Sequence, residues 1–194
     1  MYKVLRGMSF SSIFVSQWIS KIKALLDNLG MSNLWYTEDE IDKNWFKCAV
    51  NLRQMDISKQ EWSAEVHASG QCRDYRLIKK DLKMEHYLLK LDKRDRINLC
   101  KFRCGNSRLP VNTGRFSNVP RQERYCTLCT KQRIGDEFHY LFECPILNDD
   151  RCKYLKPYYI QMPNTCKMTQ LFNTGSVRIL KDLARFCQII MSKF

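Results

Sequence analysis

The sequence contains no long apolar run, no internal repeat and no linker rich in glycine and serine. No stretch approaches the roughly 18 consecutive apolar residues that a membrane-spanning helix needs. Hydrophobic residues make up 44% of the 194 residues and charged residues 27%, both close to globular averages. The composition therefore disfavours disorder and membrane spanning, and the length suits one domain or a compact pair of small ones.

Motifs of common enzyme classes are also missing. The sequence has no glycine-rich phosphate loop, no G-x-S-x-G elbow and no H-E-x-x-H helix. Asp149 and Asp150 are adjacent, so on a helix they would point in different directions rather than form a catalytic pair. His67 and His86 have no evident catalytic partner. We therefore expect no enzymatic activity of this chain.

Positive charge is abundant and unevenly placed. The chain has 33 basic against 20 acidic side chains, a formal net charge of +13. Residues 71–133 contain 17 basic and 6 acidic side chains, a net charge of +11, whereas residues 1–70 are neutral and residues 134–194 carry +2. Scattered charge on a solvated helical surface is one explanation. A face that binds a polyanion such as RNA or DNA is the one we favour.

The 10 cysteines could form disulfides in a secreted protein. Lys3 and Arg6 precede a stretch that resembles a signal peptide, but three serines interrupt it and no Ala-x-Ala-like cleavage site follows. We therefore expect an intracellular protein of the nucleus or cytoplasm, neither secreted nor bound to a membrane. Cysteines in that setting are buried small side chains, metal ligands or reactive thiols.

Apolar spacing predicts a mainly α fold of small helical domains, and the cysteine and histidine pattern described below adds an embedded zinc-knuckle-like module. The predicted helices cover residues 14–29 with a stop at Gly30, residues 41–50 after a capping box at 37–40, residues 62–69, residues 77–82 and residues 177–191. On a helix over residues 94–104, the spacing predicts that Ile97, Cys100 and Cys104 form the buried face. Residues 109–115 have the composition of a turn.

The most specific pattern is Cys126-Thr127-Leu128-Cys129, then His139, then Cys144-Pro145, which reads C-x2-C-x9-H-x4-C. A tight turn leaves two sulfurs at this spacing on one side, and Zn²⁺ prefers four nitrogen or sulfur ligands in a tetrahedron. The turn at residues 135–137 would place His139 in the first turn of a short helix, with Cys144 about 140° further round. Cys144 can share the ion only if the helix ends there, as Pro145 indicates.

Four protein ligands leave no position for water or substrate, so one zinc ion held by these residues would be structural. The alternative is four unrelated buried or oxidised side chains. A second ion held by Cys100 and Cys104 with His86 or Cys152 is disfavoured, because core packing explains the two cysteines. The pattern divides the chain into helical residues 1–70, a basic helical segment with its loop at 71–120, the zinc module at 121–146 and C-terminal helices at 147–194.

A longer pattern surrounds these ligands. It comprises Leu99-Cys100-Lys101-Phe102-Arg103-Cys104-Gly105, Leu109-Pro110-Val111, Gly114-Arg115-Phe116, Pro120-Arg121, the Cys126 and Cys129 pair, and the run from Gly135 to Pro145. It resembles the C-terminal tail of non-LTR (LINE-type) retrotransposon reverse transcriptases, including their zinc-binding region. Weaker similarity at residues 18–30 and 171–174 extends the resemblance over almost the whole chain. In that family the metal ligands correspond to Cys126, Cys129, His139 and Cys144.

This resemblance implies a nucleic-acid-binding appendage that follows the polymerase of a larger polyprotein and acts with the remainder of the reverse transcriptase. The aromatic-x-Asp-Asp carboxylates of the polymerase palm and an endonuclease domain are absent. We therefore expect a fragment or domesticated remnant without polymerase activity of its own.

Several side chains are candidate contacts to RNA or DNA, with single-stranded or structured RNA favoured. They are Lys101, Arg103, Arg115, Arg121, Arg124, Lys131 and Arg133 for phosphates and Tyr125 for base stacking, with Phe116 and Tyr140 as further aromatic candidates. The alternative function is a structural or protein-interaction helical domain closed by a structural zinc ion.

Overall fold

The computed structural model describes residues 17–37 and 40–194. The predicted mainly α fold is confirmed, because these residues form helices and no β-strand beyond one isolated antiparallel bridge. The chain divides into two compact units, Met1–Glu61 and Trp62–Phe194. Within the two described ranges, no helix is long and apolar enough to cross a membrane.

The first unit contains α1 (Gln17–Asn28), α2 (Asn33–Tyr36) and the start of α3 (Lys43–Ala68). The predicted helix end at Gly30 is confirmed: this residue has φ +65°, and the Met31 amide donates to the Leu26 carbonyl across the turn. Such a left-handed residue closes a helix by satisfying its last carbonyls. The core of this unit contains Ile19, Leu26, Met31, Leu34 and Trp35. Residues 14–15 of the predicted first helix lie outside the described residues.

Helix α3 is one continuous element of 26 residues. The prediction of two separate helices, over 41–50 and 62–69, is therefore wrong. No glycine or proline interrupts residues 43–68, so the helix continues through the residues between them. Residues 38–39 of the predicted capping box lie outside the described residues. The Asp42 carboxylate accepts a hydrogen bond from the Trp45 amide at 2.7 Å, as a helix cap does.

The second unit is built on α6 and α11, which pack against each other. Its helices are α4 (Tyr75–Ile78), α5 (His86–Lys90), α6 (Lys93–Arg103), α7 (Pro110–Thr113), α8 (Asn148–Tyr154), α9 (Pro157–Ile160), α10 (Thr165–Phe172) and α11 (Val177–Met191). Two 3-10 turns, Arg121–Glu123 and Pro145–Leu147, and a π-helical turn, His139–Glu143, complete it. The predicted turn over residues 109–115 therefore includes one short helix.

The buried face of α6 is not the predicted one. Leu99 and Phe102 are fully buried, whereas Ile97 is 42% exposed and Cys100 is only half-buried. Leucine and phenylalanine remove more apolar area from water than cysteine does when they are buried. The helix therefore turns Leu99 and Phe102 toward the core. The predicted final helix is confirmed, since α11 buries Leu180, Leu183, Ala184, Cys187 and Ile190.

Candidate metal centre

A short hairpin, residues 125–134, carries the first two predicted ligands. Tyr125 and Ile134 form an antiparallel bridge, and the Cys126 amide donates to the Arg133 carbonyl at 2.7 Å. Gln132 adopts φ +47°, which turns the chain back toward its start. The hairpin thereby holds the backbone on both sides of Cys126 and Cys129.

The π-helical turn carries the other two ligands and explains their spacing. The Asp136 carboxylate accepts a hydrogen bond from the His139 amide at 3.0 Å and starts the turn. The Cys144 amide donates to the His139 carbonyl at 2.8 Å, a bond between residues five apart. An α-helix aligns residues four apart, whereas this wider turn aligns residues five apart. His139 and Cys144 therefore share a side without the 140° offset expected on an α-helix, and the turn ends at Pro145 as predicted.

The structure brings all four predicted ligands together. Their ligand atoms lie within 4.8 Å of one another. The Sγ atoms of Cys126 and Cys144 are 4.0 Å apart, and Cys129 Sγ is 3.5 Å from His139 Nε2. Tetrahedral zinc with bonds of about 2.0 to 2.3 Å requires ligand separations of about 3.5 to 3.8 Å. The cluster could therefore hold one metal ion, and its three sulfurs and one imidazole suit zinc.

The surrounding groups orient the histidine and the thiols. His139 Nδ1 lies 3.3 Å from Glu143 Oε2, so a proton on Nδ1 is donated to this carboxylate and the Nε2 lone pair faces the cysteines. Burial raises the pKa of the Cys126 thiol. The Tyr140 hydroxyl and the amides of Leu128 and Cys129 lower this pKa by a larger amount, so the net shift is downward. Burial and the neighbouring thiols raise the pKa of Cys144 to about 12. A cation between the sulfurs would offset this cost of forming thiolates.

Arg151 anchors the π-helical turn from α8, a role not predicted from the sequence. Its side chain is buried, its Nε donates to the Leu141 carbonyl at 2.7 Å, and its Nη2 donates to the Cys144 carbonyl at 2.8 Å and the Tyr140 carbonyl at 3.4 Å. Burial lowers the pKa of Arg151, and the Cys144 thiol opposes that shift. The only sequence signal is a basic residue one turn into a helix that begins after Pro145.

A buried carboxyl group two residues before the same turn connects it to α7. Glu137 Oε1 accepts a hydrogen bond from the Asn112 side-chain amide at 2.9 Å. Burial, followed by the nearby Asp74 carboxylate, raises the pKa of Glu137 to about 8. The ligand-bearing turn is therefore held from two sides, by α7 and by α8.

The structure places Arg103, a predicted nucleic-acid contact, in the interior of the second unit. Its side chain is buried, and its guanidinium donates to Glu85 Oε1 at 2.9 Å and to the Phe172 carbonyl at 3.1 Å. The rings of Tyr87 and Phe172 lie over the same group. Tyr140 is also fully buried and is unavailable for base stacking.

The guanidinium groups of three further predicted arginines form hydrogen bonds or an ion pair with partners in the second unit. Arg115 donates to the Gln71 side chain at 3.0 Å, and Arg121 forms an ion pair with Asp136 at 3.0 Å. Arg124 donates to two backbone carbonyls, those of Val111 and Val119, at 2.8 Å each. These three remain half-buried. The other predicted contacts, Lys101, Tyr125, Lys131 and Arg133, are exposed, and so is Phe116.

The Cys3His cluster is the one group in residues 17–37 and 40–194 that could hold a metal ion. Cys100 and Cys104 belong to no such group there, and His67 and His86 lie exposed on the surface. A closed set of four ligands supplies structure rather than an open catalytic position. Compared with known proteins, the chain matches no family model, no curated protein and no solved structure.

Proposed function

We propose that this chain is a nucleic-acid-binding module stabilised by one structural zinc ion, and that it originates from the C-terminal tail of a non-LTR retrotransposon reverse transcriptase. The observation that carries the proposal is the convergence of Cys126, Cys129, His139 and Cys144 within 4.8 Å. Zinc in a closed site of this kind contributes folding free energy and leaves the surface chemistry to other residues.

The exposed side chains of the hairpin suit a polyanionic ligand. Lys131 and Arg133 flank the turn residue Gln132, and both side chains are exposed. Tyr125, at the base of the hairpin, is 48% exposed, and Phe116 is 84% exposed. Lysine and arginine neutralise phosphates, and an exposed aromatic ring can stack on an unpaired base for about 1 to 3 kcal/mol.

Metal content tests the first half of the proposal. Wild type, Cys129→Ser and Cys152→Ser would be purified under reducing conditions and measured by elemental mass spectrometry. Cys152 is an exposed cysteine outside the cluster and gives the matched control. We expect one zinc per chain in wild type and in Cys152→Ser, and a loss of zinc in Cys129→Ser. Well-folded wild type without zinc would refute a structural zinc site.

Titration with nucleic acid tests the second half. Fluorescence anisotropy would follow binding to single-stranded RNA and DNA at about 50 and 200 mM salt, because phosphate contacts weaken steeply as salt rises. Lys131→Gln with Arg133→Gln should weaken binding, whereas the exposed pair Arg53→Gln with Lys59→Gln on α3 should not. A zinc-loaded wild type that binds neither RNA nor DNA would refute the proposal.

The proposed origin makes a separate prediction about the gene. The neighbouring genomic sequence should encode the remnants of a polymerase palm with an aromatic-x-Asp-Asp motif in the same orientation. Sequencing of the locus and its transcripts would test this. A locus without any such remnant would contradict the proposed origin and leave the binding proposal standing.

The second candidate function, a protein-interaction domain with structural zinc, is favoured by α3. Trp45, Leu52 and Met55 are all more than half exposed on this helix, and monomeric proteins seldom expose several large apolar side chains close together. Zinc binding without any affinity for nucleic acid would favour this function over the first.

A further inference from the structure

Five basic side chains line a groove between α8 and α11. Its walls include Lys153 and Lys156 on one side and Arg178, Lys181 and Arg185 on the other, and Asp182 is the acidic residue among those that line it. Two adjoining cavities of about 610 and 300 Å³ make up this α8–α11 groove. The ring of Tyr154 forms part of its lining.

The three cations of α11 form a stripe along one side of the helix. Arg178, Lys181 and Arg185 stand at positions i, i+3 and i+7, which lie above one another in an α-helix. The opposite side of α11 is buried in the core through Leu183 and Ile190. At 1.5 Å per residue the stripe is about 10 Å long, which equals about three steps of 3.4 Å along a duplex axis, and each step carries one phosphate per strand.

Few ion pairs engage these cations in the described part of the chain. Lys153, Lys156, Arg178 and Lys181 form none there, and Arg185 forms a long one with Asp182 at 3.9 Å. By contrast, the guanidinium groups of Arg103, Arg115, Arg121 and Arg124 hydrogen-bond within the second unit. The groove therefore adds cations outside the segment in which the net charge of the sequence is greatest.

Aromatic packing positions part of the groove wall. The Tyr154 ring stacks on the buried Phe186 ring at 6.4 Å and an interplanar angle of 13°, and the Lys153 ammonium lies 5.3 Å from the centre of the same tyrosine ring. A fixed aromatic surface limits the freedom that the Lys153 side chain would lose on binding.

We infer that the α8–α11 groove binds the phosphate backbone of a nucleic acid strand and is a larger contributor to affinity than the hairpin. This inference rests on the proposed function, because it assumes that the chain binds nucleic acid. Five cations line the groove with one carboxylate, and the carboxylates of Asp92 and Asp95 also lie near Lys181. The remaining excess of positive charge attracts a polyanion without reading base sequence. Binding through this groove is therefore expected to be similar for different sequences and strongly dependent on salt.

Three double variants of the full chain test the inference: Arg178→Gln with Lys181→Gln in the groove, Lys131→Gln with Arg133→Gln in the hairpin, and Arg53→Gln with Lys59→Gln as the control on α3. Each removes two positive charges from exposed or half-exposed positions. Zinc content and circular dichroism would first show that each variant is folded. Anisotropy titrations with 20-nucleotide RNA and DNA, single-stranded and duplex, would follow at several salt concentrations.

We expect the groove variant to lose at least tenfold in affinity at low salt and to reduce the slope of log K against log salt by about 1.4 to 1.8, as two lost phosphate contacts require. The hairpin variant should lose less, and the control should match wild type. If the hairpin variant loses affinity and the groove variant does not, the inference fails while the proposed function stands. If wild type binds no nucleic acid but binds vesicles of phosphatidylserine and phosphatidylcholine through the groove, both fail.

Discussion

Replacement of Arg151 by methionine should destabilise the second unit by about 3 kcal/mol. Methionine keeps most of the apolar length of the side chain and removes the donors. The change removes the bonds that the Leu141 and Cys144 carbonyls accept from Arg151 at 2.7 and 2.8 Å, and the Cys144 carbonyl keeps only a longer bond from the Leu147 amide at 3.3 Å. It therefore isolates the contribution of the guanidinium group to the turn that carries His139 and Cys144.

The magnitude follows from opposing contributions. Hydrogen bonds from a charged donor contribute about 1.5 to 3 kcal/mol each, so the two short bonds of Arg151 account for about 3 to 6 kcal/mol. The third contact, to the Tyr140 carbonyl at 3.4 Å, is long and adds little. Removal of a buried cation also relieves its desolvation cost, which offsets part of the loss. The expected net loss of unfolding free energy therefore lies near the lower end of this range.

Urea denaturation followed by far-ultraviolet circular dichroism, with excess zinc and a reducing agent, would measure this change. Hydrogen exchange of residues 137–155, read by mass spectrometry, would assign the effect to the second unit. Arg108→Met removes an exposed arginine and should change stability by less than about 0.5 kcal/mol. A loss below about 1 kcal/mol for Arg151→Met, similar to the control, would show that the three carbonyls find other donors.

Three further substitutions have expected outcomes. Glu143→Gln should weaken zinc affinity by about tenfold or more, measured by chelator competition, because the carboxylate orients His139; an unchanged affinity would contradict this role. Gly114→Ala should lower stability in urea by about 1 to 2 kcal/mol, because an added Cβ would lie 2.8 Å from the Arg124 side chain and displace it from its carbonyls; no change in the denaturation midpoint would contradict it. Arg103→Met should lower stability by about 3 kcal/mol, while the folded fraction keeps its affinity for nucleic acid; the reverse pattern would contradict its burial.

The ligand set was predictable because its chemistry is local. Cys126 and Cys129 are separated by a single turn, and Pro145 marks the end of the element that carries Cys144. The π-helical turn itself was not predictable, because it differs from an α-helix by one residue in a hydrogen bond and leaves no mark in composition. The spacing x4 between His139 and Cys144 is the only trace of it.

The role of each basic residue was not predictable, because it depends on partners distant in sequence. Arg103 pairs with Glu85, and Arg115 donates to Gln71, 44 positions away. Net charge counts such side chains as if they were free. It also gave no sign of the cations in the α8–α11 groove, because residues 134–194 carry a net charge of only +2.

Metal binding at the π-helical turn would affect the stability of the whole second unit. Between the ligands His139 and Cys144, the side chains of Tyr140, Leu141 and Phe142 are buried in the main hydrophobic core. A metal ion bound by the native state alone would therefore stabilise the packed helices and not merely a peripheral finger, by about 1.4 kcal/mol for each tenfold rise in free zinc above its dissociation constant. The amount of this protein that persists in a cell would then follow the local zinc concentration.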